Sequence, residues 1–307
     1  MATGNGGDDA RGGLLDAAYD VLMVTSAQFW IVAAAPFLIG AFLATREIWP
    51  DWRIILGVVV IGPLVAGSTL AYNAYTDARV DIFNPRKAHL AYVRGWLSPA
   101  IVLNLARGLA GAGLLLSLLL GPQFAVLVAL CVLLSVLYSS PRTKLKSVPG
   151  GDVLVNMVGL GAIVPLAGWA ATGADVRDFP AWYLLPIFFA LGSLYCPTLV
   201  PDTEADRLAG VKTLAVSLGP RAVAWLGFAL LALSIATNVS CGLRGYVLSQ
   251  GLVMRVWPVY AAQLALYLHY GRDISYGGML ATIGTQCIAH GVGVGFMVYA
   301  LGGWWTV

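Results

Sequence analysis

Residues 54–81 read IILGVVVIGPLVAGSTLAYNAYTDARVD. From Ile54 to Thr76 there is no charged side chain, and about 20 apolar residues are enough for a helix to cross the hydrocarbon of a bilayer. The run then meets acid at once. Asn73, Asp77 and Asp81 recur every four residues, a spacing that stacks all three on one face of a helix. A strand in a membrane barrel would instead show ten-residue segments of alternating polarity. In lipid a helix is the other way to satisfy every backbone polar group.

The rest of the chain repeats the first half of this pattern. Of 307 residues, 59% are hydrophobic and 11% charged, where a soluble domain carries about 25% charged residues. Eight further apolar segments stand at about 22–45, 99–120, 122–140, 153–172, 181–201, 220–242, 252–271 and 278–303, each long enough to span. The expected fold is therefore all-α and polytopic, with nine transmembrane helices. Residues 1–21 read as a flexible N-terminal tail. They contain Asp8, Asp9, Asp16 and Asp20 and lack the basic start and apolar core of a secretory signal. Residues 22–307 read as one transmembrane domain. Cys131, Cys196, Cys241 and Cys287 are scattered through apolar segments and read as packing residues. His89, His269 and His290 make no metal-spaced pair.

Lys and Arg set the orientation. Arg79, Arg86, Lys87 and Arg94 follow the second segment, Arg142, Lys144 and Lys146 the fourth, and Arg207, Lys212 and Arg221 the sixth. The opposite connections hold only Arg46, Arg53, Arg177, Arg244 and Arg255. Cytoplasmic loops are the ones enriched in Lys and Arg, so the acidic motif at Asp77 and Asp81 is expected on the cytoplasmic side.

A second acidic motif ends the sixth segment. It reads DTEADRLAGVKTLAV from Asp202, with Asp202 and Asp206 again four apart. Stacked carboxylates at a membrane helix end repel one another and are costly near lipid. A hard cation removes that cost, and Mg2+ is typically held by one or two carboxylates together with substrate phosphates. Two such motifs could hold Mg2+ ions around one diphosphate and neutralise the charge that builds as its carbon–oxygen bond breaks. Either motif alone is as compatible with an ordinary solvated helix end. Two on one membrane face, each ending an apolar span, argue against that.

Candidate phosphate ligands follow the same motifs: Arg86, Lys87 and Arg94 after the first, Lys146 in YSSPRTKLK after the fourth segment, and Lys212 after the second motif. Guanidinium grips phosphate bidentately and lysine acts as a point charge. The alternative for each is a positive-inside residue without a ligand. Arg107 falls inside the third segment near Asn104. A mid-membrane arginine is expensive unless it faces a cavity or a partner, so it reaches either the diphosphate, a motif carboxylate or a structural ion pair. Asn156 in the fifth segment either lines the same cavity or makes an interhelical hydrogen bond, and the second reading is favoured.

The motifs resemble the UbiA superfamily of intramembrane prenyltransferases, which includes membrane terpene cyclases. Asn73, Asp77, Asp81, Asp202 and Asp206 match the family's two acidic motifs position by position, and Glu204–Val216 is similar to the usual continuation of the second. YSSPRTKLK resembles the tyrosine-and-lysine loop after the fourth span, which implies hydrogen-bonding and phosphate-binding roles for Tyr138 and Lys146. The sequence departs at Ala74, where many members have a second acid after the asparagine, and at DIFNPRKAHL, where many have an Arg-Pro pair. NPRK is similar to the carotenoid-elongating members. The resemblance implies helices around a central cavity with cytoplasmic polar caps, Mg2+ as cofactor and a polyprenyl diphosphate substrate.

Two activities share the ionisation step. A transferase would pass the prenyl group to a small apolar or aromatic acceptor; a membrane terpene cyclase would close the cation on its own double bonds. A transporter is a third reading, kept open by Pro165 and Pro197, but it predicts ion sites near the midplane, and here the acids lie at span ends. No nucleic acid is expected as a partner.

Overall fold

The structure is a computed structural model that describes residues 14–84, 87, 90, 92–94 and 97–301, with backbone alone for 14–17. Among the described residues every regular element is helical, and nine helices are long and apolar enough to span a bilayer. In chain order the elements are α1 (Leu14–Val24), α2 (Ala27–Thr45), α3 (Trp52–Asp81), α4 (Pro99–Leu120), α5 (Pro122–Ser139), α6 (Gly151–Ala171), α7 (Ala181–Leu199), α8 (Thr203–Leu208), α9 (Leu214–Leu218), α10 (Pro220–Leu243), α11 (Gln250–Tyr270) and α12 (Tyr276–Leu301). The short α8 and α9 lie between two spans.

Local chemistry starts these helices where it should. Asp51 caps α3 by accepting from Arg53 and Ile54 N–H, both at 3.0 Å. Ser98 caps α4 ahead of Pro99, and Ser249 caps α11; a short polar side chain satisfies donors that the first turn leaves orphaned. Gly121 and Gly219, at φ 104° and 89°, turn the chain into Pro122 and Pro220, the residue suited to a first helical position.

Two expectations need correcting at their edges. The tail reading extended to residue 21, yet Leu14–Val24 is helical. Val24 is buried with Ala71, Ala74, Val102 and Ala106, so the burial of its end anchors this helix. The second span does not stop near Thr76 but continues through the acidic motif to Asp81.

Glycine sets the closest contacts in the interior. A Cβ on Gly40 would lie 1.9 Å from the Pro165 carbonyl oxygen, and one on Gly168 would lie 1.9 Å from that of Phe37. α2 and α6 thus touch backbone to backbone, the contact small residues permit in lipid. Phe37 fills the gap beyond, edge-on to Phe124 of α5. Both α3 and α6 carry a π-helical turn, at Val60–Ala66 around Pro63 and at Gly159–Ile163 just before Pro165; a widened turn accommodates the donor that proline lacks. Pro165 and Pro197 sit within helices that continue past them. Of the four free cysteines, Cys196 and Cys241 are buried and Cys131 half-buried, as packing residues would be, but Cys287 is exposed.

The spans alternate in direction, so α3, α5 and α7 end where α6 and α10 begin. Side-chain bonds between those ends, from Ser139 and Lys146 to the first acidic motif and from Asn84 to Asp202, show that they share one end of the bundle.

Candidate active site

At that end the last turns of α3 present the first motif. Lys146, 7% exposed on the loop after α5, reaches back to it. Its Nζ donates to Asp77 Oδ1 at 2.5 Å and to Asn73 Oδ1 at 2.8 Å. Ser139 Oγ donates to the same Asn73 oxygen at 3.1 Å. Asn73 and Asp77 therefore do share a face, as their spacing requires, and one lysine holds both. Burial pulls the Lys146 ammonium below the usual lysine range despite the pull of Asp77.

Asp81, 4% exposed, carries two partners. Lys87 Nζ donates to Oδ1 at 2.7 Å and Tyr92 OH to Oδ2 at 2.8 Å. Burial opposes the charge on Lys87, but Asp81, then Asp202 and Asp77, outweigh it and raise the ammonium above its usual range. The Tyr92 hydroxyl is raised as well, by burial and then by the Asp81 charge.

The second motif meets the first through Asn84, whose Nδ2 donates to Asp202 Oδ1 at 2.7 Å. α8 begins directly after Asp202, and Asp206 lies one turn on. Burial and then the nearby Asp202 charge push the Asp206 carboxyl up to about 6, although Thr213 Oγ1 donates to its Oδ2 at 3.3 Å. Asn84 thus ties the second motif to the end of the first, whose Asp77 and Asp81 are each held by a lysine. Asp152, wholly buried at the start of α6, accepts from Leu214 N–H and Val153 N–H, each at 2.9 Å. It thereby pins the connection between α8 and α9 to a span.

Tyr138 lies at the end of α5 with its hydroxyl 2.6 Å from that of Tyr195 on α7. Asn156 Nδ2 donates to the Asp152 carbonyl at 2.9 Å, a bond within α6 rather than between helices. Arg107 takes no part in these contacts. Arg107 is exposed on α4 and makes no hydrogen bond or ion pair with any described residue. Two of its three readings, a motif carboxylate and a structural ion pair, are thus not met among the described residues, because the buried face of α4 is the one carrying Val102 and Ala106. Lys212 and Arg94 are exposed; Arg86 and His89 lie outside the described residues. Asn84, Tyr92, Ser139 and Asp152 were not singled out from sequence. Only Asp152, an acid heading an apolar span, left a readable signal.

The donors suit a hard divalent cation, since the carboxylates of Asp77, Asp81, Asp202 and Asp206 and the Asn73 carbonyl are all oxygens. Among the described residues no group of three or more His, Cys, Asp or Glu side chains is arranged to hold a metal ion. Mg2+ does not require one, because it keeps waters and takes phosphate oxygens as ligands.

A sequence model described as the UbiA prenyltransferase family matches residues 33–278. The chain belongs to this family. It is an intramembrane prenyltransferase, an enzyme that transfers prenyl groups with release of diphosphate. Among similar proteins, a lycopene elongase/hydratase of Haloferax volcanii is 28% identical over 92% of this chain and 94% of its own. A protoheme IX farnesyltransferase of Aromatoleum aromaticum is 30% identical over 73% and 76%. Among solved structures, a UbiA homolog from Archaeoglobus fulgidus bound to GPP and Mg2+ superposes with a TM-score of 0.71 at 19% identity, over 91% of this chain and 99% of that one. At that identity the likeness shows the UbiA fold.

Proposed function

We propose that this chain is a Mg2+-dependent prenyltransferase that ionises a polyprenyl diphosphate at the Asp77, Asp81, Asp202 and Asp206 cluster and transfers the prenyl group to an apolar acceptor, with the site opening to the cytoplasm. The observation that carries this reading is the meeting of the two acidic motifs, linked by Asn84 and interleaved with Lys87 and Lys146. The four carboxylates and Asn73 would hold Mg2+, which would neutralise the leaving diphosphate.

The protein's own groups do the rest. Lys146 and Lys87 each hold a carboxylate and would hold donor phosphate oxygens as well. The C1–O bond breaks, its electron pair leaves with the diphosphate, and the allylic cation is attacked by a carbon–carbon double bond of the acceptor. A proton is then lost from the adduct. The Tyr138–Tyr195 pair places two half-buried rings beside this site, and ring faces stabilise cations. The cytoplasmic orientation rests on the Lys and Arg of the connections at this end.

A long polyene is the preferred acceptor. The relative matching this chain along nearly its full length is named for lycopene, whereas the haem-directed relative covers about three-quarters. The protein in lipid nanodiscs should release diphosphate and prenylate lycopene when given Mg2+ and prenyl diphosphates, as read by mass spectrometry. Excess chelator or Asp202→Ala should stop both. Prenylated haem alone would replace the acceptor. A cyclic hydrocarbon formed without acceptor would replace transfer by cyclisation. Full turnover in chelator would remove the metal.

A further inference from the structure

Away from the aspartates, α10 and α11 leave an open groove of about 140 Å3, lined by Arg221, Ala224, Trp225, Phe228, Tyr267 and Arg272 among others. Arg221 is the second residue of α10, and Arg272 lies two past the end of α11. Both guanidiniums therefore stand at the end of the bundle that carries the acidic motifs, at the level of lipid headgroups. Both are exposed, and neither makes an ion pair or hydrogen bond with any described residue. The nearest acid in sequence, Asp273, is turned to the Ser275 N–H at 2.9 Å. Farther along the spans the wall becomes aromatic. Trp225 is 57% exposed and edge-on to Phe228, with ring centroids 5.8 Å apart, and Phe228 leans on Tyr267. The Tyr267 hydroxyl is buried without a hydrogen-bond partner among the described residues.

We infer that this groove binds an anionic phospholipid, its phosphate between Arg221 and Arg272 and an acyl chain along Trp225 and Phe228. Two uncompensated cations above an aromatic, lipid-facing wall match the two halves of such a molecule. Basic pockets between membrane helices are known headgroup sites. The site shares no residue with the aspartate cluster, so it stands or falls independently of the proposed chemistry.

The test uses the full-length protein in zwitterionic detergent, titrated with phosphatidylglycerol or phosphatidylcholine and followed by thermal shift. Phosphatidylglycerol should raise the melting temperature and phosphatidylcholine should not. With each arginine contributing roughly fivefold, Arg221→Gln with Arg272→Gln should weaken the apparent affinity roughly twenty-five-fold. Ala224→Trp, which fills the groove but keeps both charges, should weaken it too. Arg142→Gln, an exposed arginine at the same end outside the groove, should leave it unchanged. Wild-type affinity in both the double variant and the filled groove would overturn the inference. So would an equal response to inorganic phosphate alone, which would mark a free-anion site, or an equal loss in the Arg142 variant, which would mark general surface charge.

Discussion

Lys146 shows most directly how single residues hold the site. It is nearly buried, and it bonds Asp77 and Asn73 together. Removing one member of a buried ion pair strands the other charge, at a cost of about 3–5 kcal/mol. Lys146→Met should therefore lower stability by that order in chemical denaturation and abolish turnover. Adding Asp77→Asn to it should restore most of the stability but none of the turnover. Recovery of activity in the double variant would deny Lys146 and Asp77 any role beyond folding. Four-residue spacing placed Asn73, Asp77 and Asp81 on one helix face from sequence alone. Asn84 and Tyr92 left no such trace. They act through partners 118 and 11 residues away, separations that no helical period relates. Ala74, beside Asn73, is 6% exposed and packed with Val102 and Ala106, so that position belongs to the buried face of the helix.

Among elements, the second motif is the more delicate. α3 carries the first motif on a long span, whereas Asp206 rides on the six residues of α8, too few to be stable alone. What fixes α8 is tertiary: Asp152 of α6 holds Leu214 N–H, and Thr213 holds Asp206. A hydrogen bond to a charged acceptor is worth roughly 1.5–3 kcal/mol. Asp152→Ala should thus raise the Mg2+ concentration needed for half-maximal turnover by about tenfold or more, while Asp152→Asn, which keeps an oxygen acceptor, should recover much of it. An unchanged Mg2+ requirement in the alanine variant would show that α8 is positioned otherwise. The spacing of Asp202 and Asp206 was legible in sequence, but the device that orients them was not.

At the scale of the whole molecule, the bundle depends on α2 and α6 meeting at Gly40 and Gly168. A methyl at Gly168 would stand 1.9 Å from the Phe37 carbonyl oxygen, so two spans would have to move apart. Gly168→Ala should cost several kcal/mol, of the order seen for overpacked cores, about 1–3 kcal/mol or more, and should appear as a lower melting temperature in detergent with loss of monodispersity. An unaltered melting temperature would show that the helices slide freely. The sequence by itself determined the nine spans, their approximate limits and the two acidic motifs, because apolar length and four-residue spacing are local properties that the bilayer and the helix read directly. Tertiary structure alone decided which of the many basic residues meet the aspartates. Lys146 and Lys87 do so, and Arg107 does not. That choice depends on how each helix is rotated about its axis and which loops fold back over the bundle, and both are set by side chains packing across spans that lie far apart in the chain.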